Sequence, residues 1–461
     1  MTGHHDVVVV TSQAPTTGEA LPGPLTALRH AVRDVGGRWA AVPDEVALGD
    51  GTRARPPAVD RQASDAIWPT YHDAVQPPVF RPDWQVSHRA RNERCARAAA
   101  RLAAPGATVW IIGHELQQAP ALLRAHRPDI RIGFYLPIPF PPVELFMRLP
   151  FRDDLLRGLL GADVIGLQTR RDVDNLLRAA QRLLGLSADG DTLGQPDRPI
   201  SLRVIPTSVD IDDIARRAAR PETLAQARDL RARLNNPALL LLSVDPLDHT
   251  AGIEHRLHAL EHLLTDRQLR AGHTAVIQIA LPPQHRAHPD DHLRHRVEQL
   301  VAQINGDHGK IGCPAVHYLH RRVGGADLLA LYQAADILVA TALRDGMNLT
   351  AKQFVASRVD NTGAVILSEF SGAAPELRAA HLVNPHDLDD LQATIRAAAT
   401  EPRYRATDRI KAMRQHLHQH NARSWAETLL STLESSGRTS RLGSGAVIPA
   451  STNALHSIAS S

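Results

Sequence analysis

Two stretches carry residue types that do chemistry at useful spacing. The first is Ala335 to Phe354, ADILVATALRDGMNLTAKQF. Ile337 to Ala340 is an apolar run of strand length, Arg344-Asp345-Gly346 is a polar turn, and Leu349 onward has helical composition. Strand, glycine turn and helix start, in that order, leave backbone N–H groups beside an acidic side chain, a seat for a phosphorylated ligand. The second is His114-Glu115, an imidazole and a carboxylate directly after the apolar run Thr108 to Ile112. Such a pair performs acid–base work, but neighbours on a strand point to opposite faces, so only one of the two is expected to face a ligand. Each motif alone also has a plain structural reading as a turn glycine or a solvated side chain.

The elements that must position these groups alternate along the whole chain. Asp6 to Val10, Thr108 to Ile112, Arg131 to Leu136, Val164 to Leu167 and Leu202 to Ile205 read as buried strands, with helices at Leu25 to Val35, Ala90 to Ala103 and Ala119 to Ala125. The pattern resumes at Ala238 to Val244, Ala275 to Ala280, Val316 to Leu319, Ile337 to Ala340 and Ala364 to Leu367. Alternation through both halves predicts an α/β protein of two doubly wound domains. The expected division is 1–208, 209–412, a C-terminal helix at 413–434, and a Ser, Gly and Thr rich tail at 435–461 read as disordered. Residues 186–200 are expected to form an exposed insertion.

Composition narrows the class. The 461 residues carry a formal charge of only +3, which gives little support to nucleic-acid binding. Lysine occurs only at 310, 352 and 411, and Arg supplies the remaining basic side chains, a bias of composition before it is a mechanism. Cys95 and Cys313 match no metal-ligand spacing, and His4-His5 has no third ligand, so neither metal nor cofactor is predicted. With no basic, apolar leader and no run approaching the ~18 residues of a membrane span, a cytoplasmic location and no membrane partner are expected.

Several blocks then coincide with one family. Leu343-Arg344-Asp345-Gly346-Met347-Asn348-Leu349 with Ala351-Lys352, Leu367 to Ala374 with Leu382-Val383-Asn384-Pro385, Ile132 to Leu136 with Ile138-Pro139-Phe140-Pro141, Ile304-Asn305-Gly306, and Trp68-Pro69 with His72 run in the family's order. The chain resembles the trehalose-6-phosphate synthases, the retaining glycosyltransferases of family 20, from about residue 7 to about residue 430. The resemblance implies a GT-B architecture, two Rossmann-like domains facing a central cleft, with the last helix returning to the N-terminal domain. It implies glucosyl transfer from nucleotide-glucose to glucose 6-phosphate, with retention and no metal. Asp345, Gly346, Met347, Asn348, Leu349 and Gln353 correspond to donor-side positions, and Gly23, Trp39, Trp84 and Arg286 to acceptor-side ones. Self-association, or association with a related synthase, is left open.

The chain departs from the pattern where the chemistry is most demanding. A nucleotide diphosphate leaving group gathers negative charge, which oriented cations and N–H groups must stabilise. The family's Arg and Lys for this purpose correspond to Pro246 and Ala251. An acceptor-side Asp corresponds to Gly113, a donor-sugar His to Pro137, an acceptor-side Arg to Gln13, a ribose-binding Glu to Gln353, and the second Gly of a pair to Pro24. His249, His255 and Arg256 are candidate replacement cations, though solvated helix positions is the expected reading of all three. Three functions therefore stand: a weak or altered synthase, an enzyme coupling a cyclitol-type unit, or a silent paralogue that binds a sugar phosphate or a partner. His114 and Glu115 are either a relocated catalytic base or part of a neutralised site.

Overall fold

The structure, a computed structural model, describes residues 6–11, 21, 24–41, 46–47, 53–54, 67–74, 83–194, 198–282 and 291–442. The N-terminal sheet holds β1 (Val7–Thr11), β2 (Arg38–Ala41), β3 (Thr108–Ile112), β4 (Arg131–Tyr135), β5 (Val164–Leu167) and β6 (Ile200–Val204) in the order β2-β1-β3-β4-β5-β6. These strands pair in parallel. All five residues of both β1 and β3 are buried, because helices cover both faces of the sheet. The expected insertion at 186–200 is instead part of this sheet. Two short antiparallel strands, Ala188–Asp189 and Thr192–Leu193, extend its edge beyond β6.

The second domain repeats the plan. Its sheet comprises β7 (Leu239–Pro246), β8 (Thr274–Leu281), β9 (Val316–Leu319), β10 (Ile337–Ala340), β11 (Ala364–Ser368) and β12 (His381–Val383), in the order β9-β8-β7-β10-β11-β12. All neighbours are parallel. Two apolar layers cover its faces, one built around Leu242, Tyr332 and Phe354 and the other around Leu241, Leu257 and Val297. The result is a GT-B arrangement, two Rossmann-like doubly wound domains facing a central cleft, with strand ends and helix starts directed at it.

The last helix runs Ala422–Leu442, past position 434 and into the segment read from sequence as disordered. Trp425, Leu429 and Leu433 bury against Leu28 and Val32 of the helix Pro24–Asp34, so an apolar stripe holds it on the N-terminal domain. Trp425 also donates to the Tyr135 hydroxyl at 3.4 Å. Among the described residues no helix is long and apolar enough to cross a membrane.

Two core positions generate predictions. Gly372 sits where an added Cβ would stand 1.8 Å from the Gly346 carbonyl oxygen. Gly372→Ala is therefore expected to destabilise the protein by roughly 1–3 kcal/mol, as overpacking does, seen as a lower urea midpoint; an unchanged midpoint would show that this loop gives way freely. His88 is buried beside Phe151, and burial, reinforced by the Arg91 charge, holds its imidazole down at about 3. Between pH 6.5 and 3 the unfolded chain then binds a proton that the folded chain does not. Stability is expected to fall as pH drops through this window, by about 1.4 kcal/mol per pH unit from this residue. Urea titrations of wild type and His88→Phe across that range check it; equal slopes would contradict it.

Candidate functional site

The turn from Arg344 to Asn348 lies where the sequence predicts, between β10 and the helix Leu349–Ser357. Asn348 is in the left-handed region at φ 53°, and its side-chain oxygen accepts the Ala351 N–H at 2.9 Å, capping the helix. The Asp345 carboxylate accepts the Met347 N–H at 3.2 Å, and its carbonyl accepts the Gly372 N–H at 3.0 Å. These bonds fix Gly346, Met347, Asn348 and Leu349 as a rigid turn whose helix start presents amides without intrahelical partners. Gln353, one turn further, accepts from the Tyr332 hydroxyl at 3.3 Å.

The loop is tied across the cleft by charge. Arg344 is buried and reaches two N-terminal-domain carboxylates, Asp73 at 3.2 Å and Asp172 at 3.5 Å. Asp172 in turn caps the helix Arg170–Leu184 through Thr169 and accepts the Phe140 N–H at 2.9 Å. Burial pushes both carboxyls up from the ordinary range, while the Arg344 charge opposes the shift. Lys352 is wholly buried, donating to the Thr207 carbonyl at 2.6 Å and to Glu376 at 2.9 Å. Thr207 is itself held by Gln168 and Tyr135, and Gln168 donates to the Pro137 carbonyl at 3.0 Å. The Gly346 backbone lies directly against that Pro137–Ile138 turn.

Neither Pro246 nor Ala251 carries a charge. Pro246 is the exposed end of β7, and Ala251 is buried in a short 3-10 turn, packed with Leu247 and Ile253. Arg256 is not the solvated helix residue expected from sequence. It is 1% exposed and bonded to Asp245 at 2.5 Å, Thr341 at 2.8 Å and Gln278 at 3.0 Å. That network ties the ends of β7, β8 and β10 together and engages all three guanidinium nitrogens. His249 and His255 line the cleft wall, with His386 5.7 Å from His255, ring to ring.

His114 and Glu115 are not strand neighbours. They sit in a 3-10 turn, His114–Leu116, after β3, and their side chains come within 3.5 Å on the same side. The alternation rule fails because the strand ends at Gly113, whose φ of 136° and ψ of 139° redirect the chain. An L side chain such as Asp would be strained there. Asn92, fully buried, pins the turn by donating to the Glu115 carbonyl and accepting the Gln118 and Ala119 N–H groups. The His114 ring meets Trp68 edge-on at 5.7 Å.

Of the predicted acceptor residues, Trp39 and Trp84 are among those described. Trp39 is partly buried against the apolar layer of Leu28, Val32 and Trp425 under the last helix. Trp84 is buried in the core with Ile67 and Tyr71. Gln13, Gly23 and Arg286 lie outside the described residues. Among the described residues no three His, Cys, Asp or Glu side chains are arranged to hold a metal ion.

From sequence, His72 enters only as part of the family match with Trp68-Pro69, with no role at a site. It stacks on Trp68 at 4.1 Å and, with Asp73, Asp248, Leu343, Arg344 and Phe370, lines a cavity of ≈ 510 Å³ between the domains. The i, i+4 spacing of Trp68 and His72 was the available signal.

Comparison with known proteins places this geometry. The model of glycosyltransferase family 20 matches residues 57–435. A trehalose-6-phosphate synthase of Mycolicibacterium paratuberculosis is 39% identical over 476 positions, covering 94% of this chain and 96% of that one. A Burkholderia xenovorans alpha,alpha-trehalose-phosphate synthase (UDP-forming), solved in complex with glucose-6-phosphate, matches with a TM-score of 0.83 and 26% identity over 93% of this chain and 100% of its own. An Escherichia coli structure described as trehalose-6-phosphate bound with UDP-2-fluoro glucose matches at 0.83 and 28%, over 93% and 99%. On fold, loop order and extent of identity, the chain belongs to glycosyltransferase family 20.

Proposed function

We infer that the protein carries out glucosyl transfer of the trehalose-6-phosphate synthase type, from a nucleotide-glucose to glucose 6-phosphate or a related hexose, at a strongly reduced rate. The relatives named for that synthase, and those solved with glucose-6-phosphate and with UDP-2-fluoro glucose, support the substrate classes. The observation that carries the reading is the intact donor turn, Asp345 to Leu349, opposite uncharged Pro246 and Ala251. In this reading the helix start meets a phosphate through Asn348 and Leu349, Asp345 accepts a sugar hydroxyl, and Gln353 meets the ribose. The unpaired cysteines Cys95 and Cys313 accord with action in the cytoplasm.

Rate follows from charge. Losing one oriented electrostatic donor costs ~100 to 1000-fold, so two losses on one leaving group lower turnover by about 10⁴-fold or more. From a typical ~10 per second this leaves about 0.001 per second. A second reading, sugar binding without transfer, is favoured by Arg256, the nearest guanidinium in sequence, whose charge is neutralised by buried Asp245.

Purified protein mixed with glucose 6-phosphate and UDP-, GDP- or ADP-glucose is expected to release nucleotide at or below ~0.01 per second, whereas ~1 per second, an ordinary enzymatic rate, would refute the reduced-rate reading. Undetectable release together with calorimetric binding of either substrate would select the second reading. The double variant Pro246→Arg, Ala251→Lys is expected to recover less than about tenfold of the lost rate. Ala251 is packed in the core, and Gly113 and Pro137 remain unchanged. Recovery to ~1 per second would show instead that those two losses suffice.

A further inference from the structure

The chain crosses between the domains twice, and the two crossings touch. The first runs from the end of β6 at Val204 to the helix Ile211–Ala218, and the second lies between the helices Arg403–Gln419 and Ala422–Leu442. The Ala422 N–H donates to the Val209 carbonyl at 3.0 Å and joins them. Within the first crossing, Thr207 is gripped from both sides. Its N–H and its hydroxyl each donate to Gln168 Oε1 of the N-terminal domain at 2.9 Å, while its carbonyl accepts the Lys352 ammonium of the C-terminal domain at 2.6 Å.

Tyr135, at the end of β4, closes the network. Its oxygen lies 2.6 Å from the Ile205 carbonyl oxygen and 2.7 Å from Thr207 Oγ1, and it accepts the Trp425 indole N–H of the last helix at 3.4 Å. A carbonyl can only accept, so the Tyr135 proton points to Ile205 and the Thr207 hydroxyl acts as the other donor. Burial pushes the Tyr135 phenol above its ordinary range, which keeps it a neutral donor. Two routes lead from this joint to the turn from Asp345 to Leu349. Lys352 lies in the first turn of the helix that follows, held also by Glu376 at 2.9 Å. Gln168 Nε2 donates to the Pro137 carbonyl at 3.0 Å, and the Gly346 backbone lies so close that an added Cβ there would stand 3.0 Å from the same oxygen.

We propose that Thr207 is the pivot of the two domains and that Tyr135, acting through its hydroxyl, is a positioning residue for the turn from Asp345 to Leu349. The paired hydroxyls set the angle at which that turn faces the N-terminal domain, and the last helix enters the same setting through Trp425. The joint differs from the Arg344 ion pairs in lying on the crossing itself and in meeting the N-terminal domain through uncharged groups. That the positioned ligand is a nucleotide-glucose rests on the glucosyl-transfer reading above; the pivot rests on the bonds alone.

Amide hydrogen exchange of the ligand-free protein, and calorimetry with UDP-, GDP- and ADP-glucose, test it in Tyr135→Phe, Thr207→Val and Thr207→Ser. The first two variants each lose one hydroxyl and are expected to speed exchange in both the helix Leu349–Ser357 and the start of the last helix, with β7 unchanged. Each is expected to weaken the nucleotide-glucose that wild type binds best by at least about fivefold, the scale of one net hydrogen bond. Because both hydroxyls act at one pivot, the double variant should bind within about twofold of the weaker single one, and Thr207→Ser within about twofold of wild type. Faster exchange confined to 131–135 and 205–210, faster exchange in β7 as well, or wild-type affinity in Tyr135→Phe would each overturn the proposal. A wild type that binds none of the three would overturn the transfer reading and the positioning role with it, and the exchange pattern would then decide the pivot alone.

Discussion

The ion pairs of Arg344 with Asp73 and Asp172 are the contact on which the cleft depends. They join the donor loop of one domain to the helix cap and turn of the other, with Arg344 itself only 7% exposed. Removing one partner from a buried ionic group of this kind typically costs 3–5 kcal/mol, because the charge left behind has no water to return to. Lys352, in the first turn of the following helix, repeats the device on the Thr207 carbonyl and Glu376, with His416 3.3 Å from the second Glu376 oxygen. The two domains are thus tied to each other by the protein's own charges.

That arrangement explains how a ligand loop keeps its form while its chemical partners differ. The turn from Asp345 to Leu349 is determined by local bonds, the Asn348 cap and the Gly372 contact, none of which involves position 246 or 251. Arg256 likewise serves the scaffold, closing Asp245, Gln278 and Thr341 into one buried network. Positions 246 and 251 carry no charge, and that of Arg256 is internal. Folding constrains the first set of residues and leaves the second free to differ.

Much of this was legible in the sequence. Strands such as Thr108–Ile112 and Ile337–Ala340 read directly from apolar runs because both sheet faces are covered. The donor turn was legible because its cap and glycines are local. What failed was long-range or exceptional. Arg256 looked solvated because Asp245 and Gln278, which bury it, come from two strands 11 and 22 residues away. His114 and Glu115 were placed on opposite faces because strand alternation was carried past Gly113, where a positive φ ends it. Trp39 matched by position, yet its strand sits at the sheet edge with the indole against the helix layer. The continuation of the last helix from 435 to Leu442 was missed because that stretch, rich in Ser, Gly and Thr, shows no apolar periodicity.

The central claim is that protein charges, with Arg344 foremost, set the closure of the two domains. Small-angle X-ray scattering of wild type and Arg344→Gln, each with and without UDP-glucose and glucose 6-phosphate, measures it most directly. The account predicts one radius of gyration for wild type in both conditions and a larger one for Arg344→Gln. A wild type that is expanded alone and contracts only with the substrates, or an Arg344→Gln variant as compact as wild type, would contradict it.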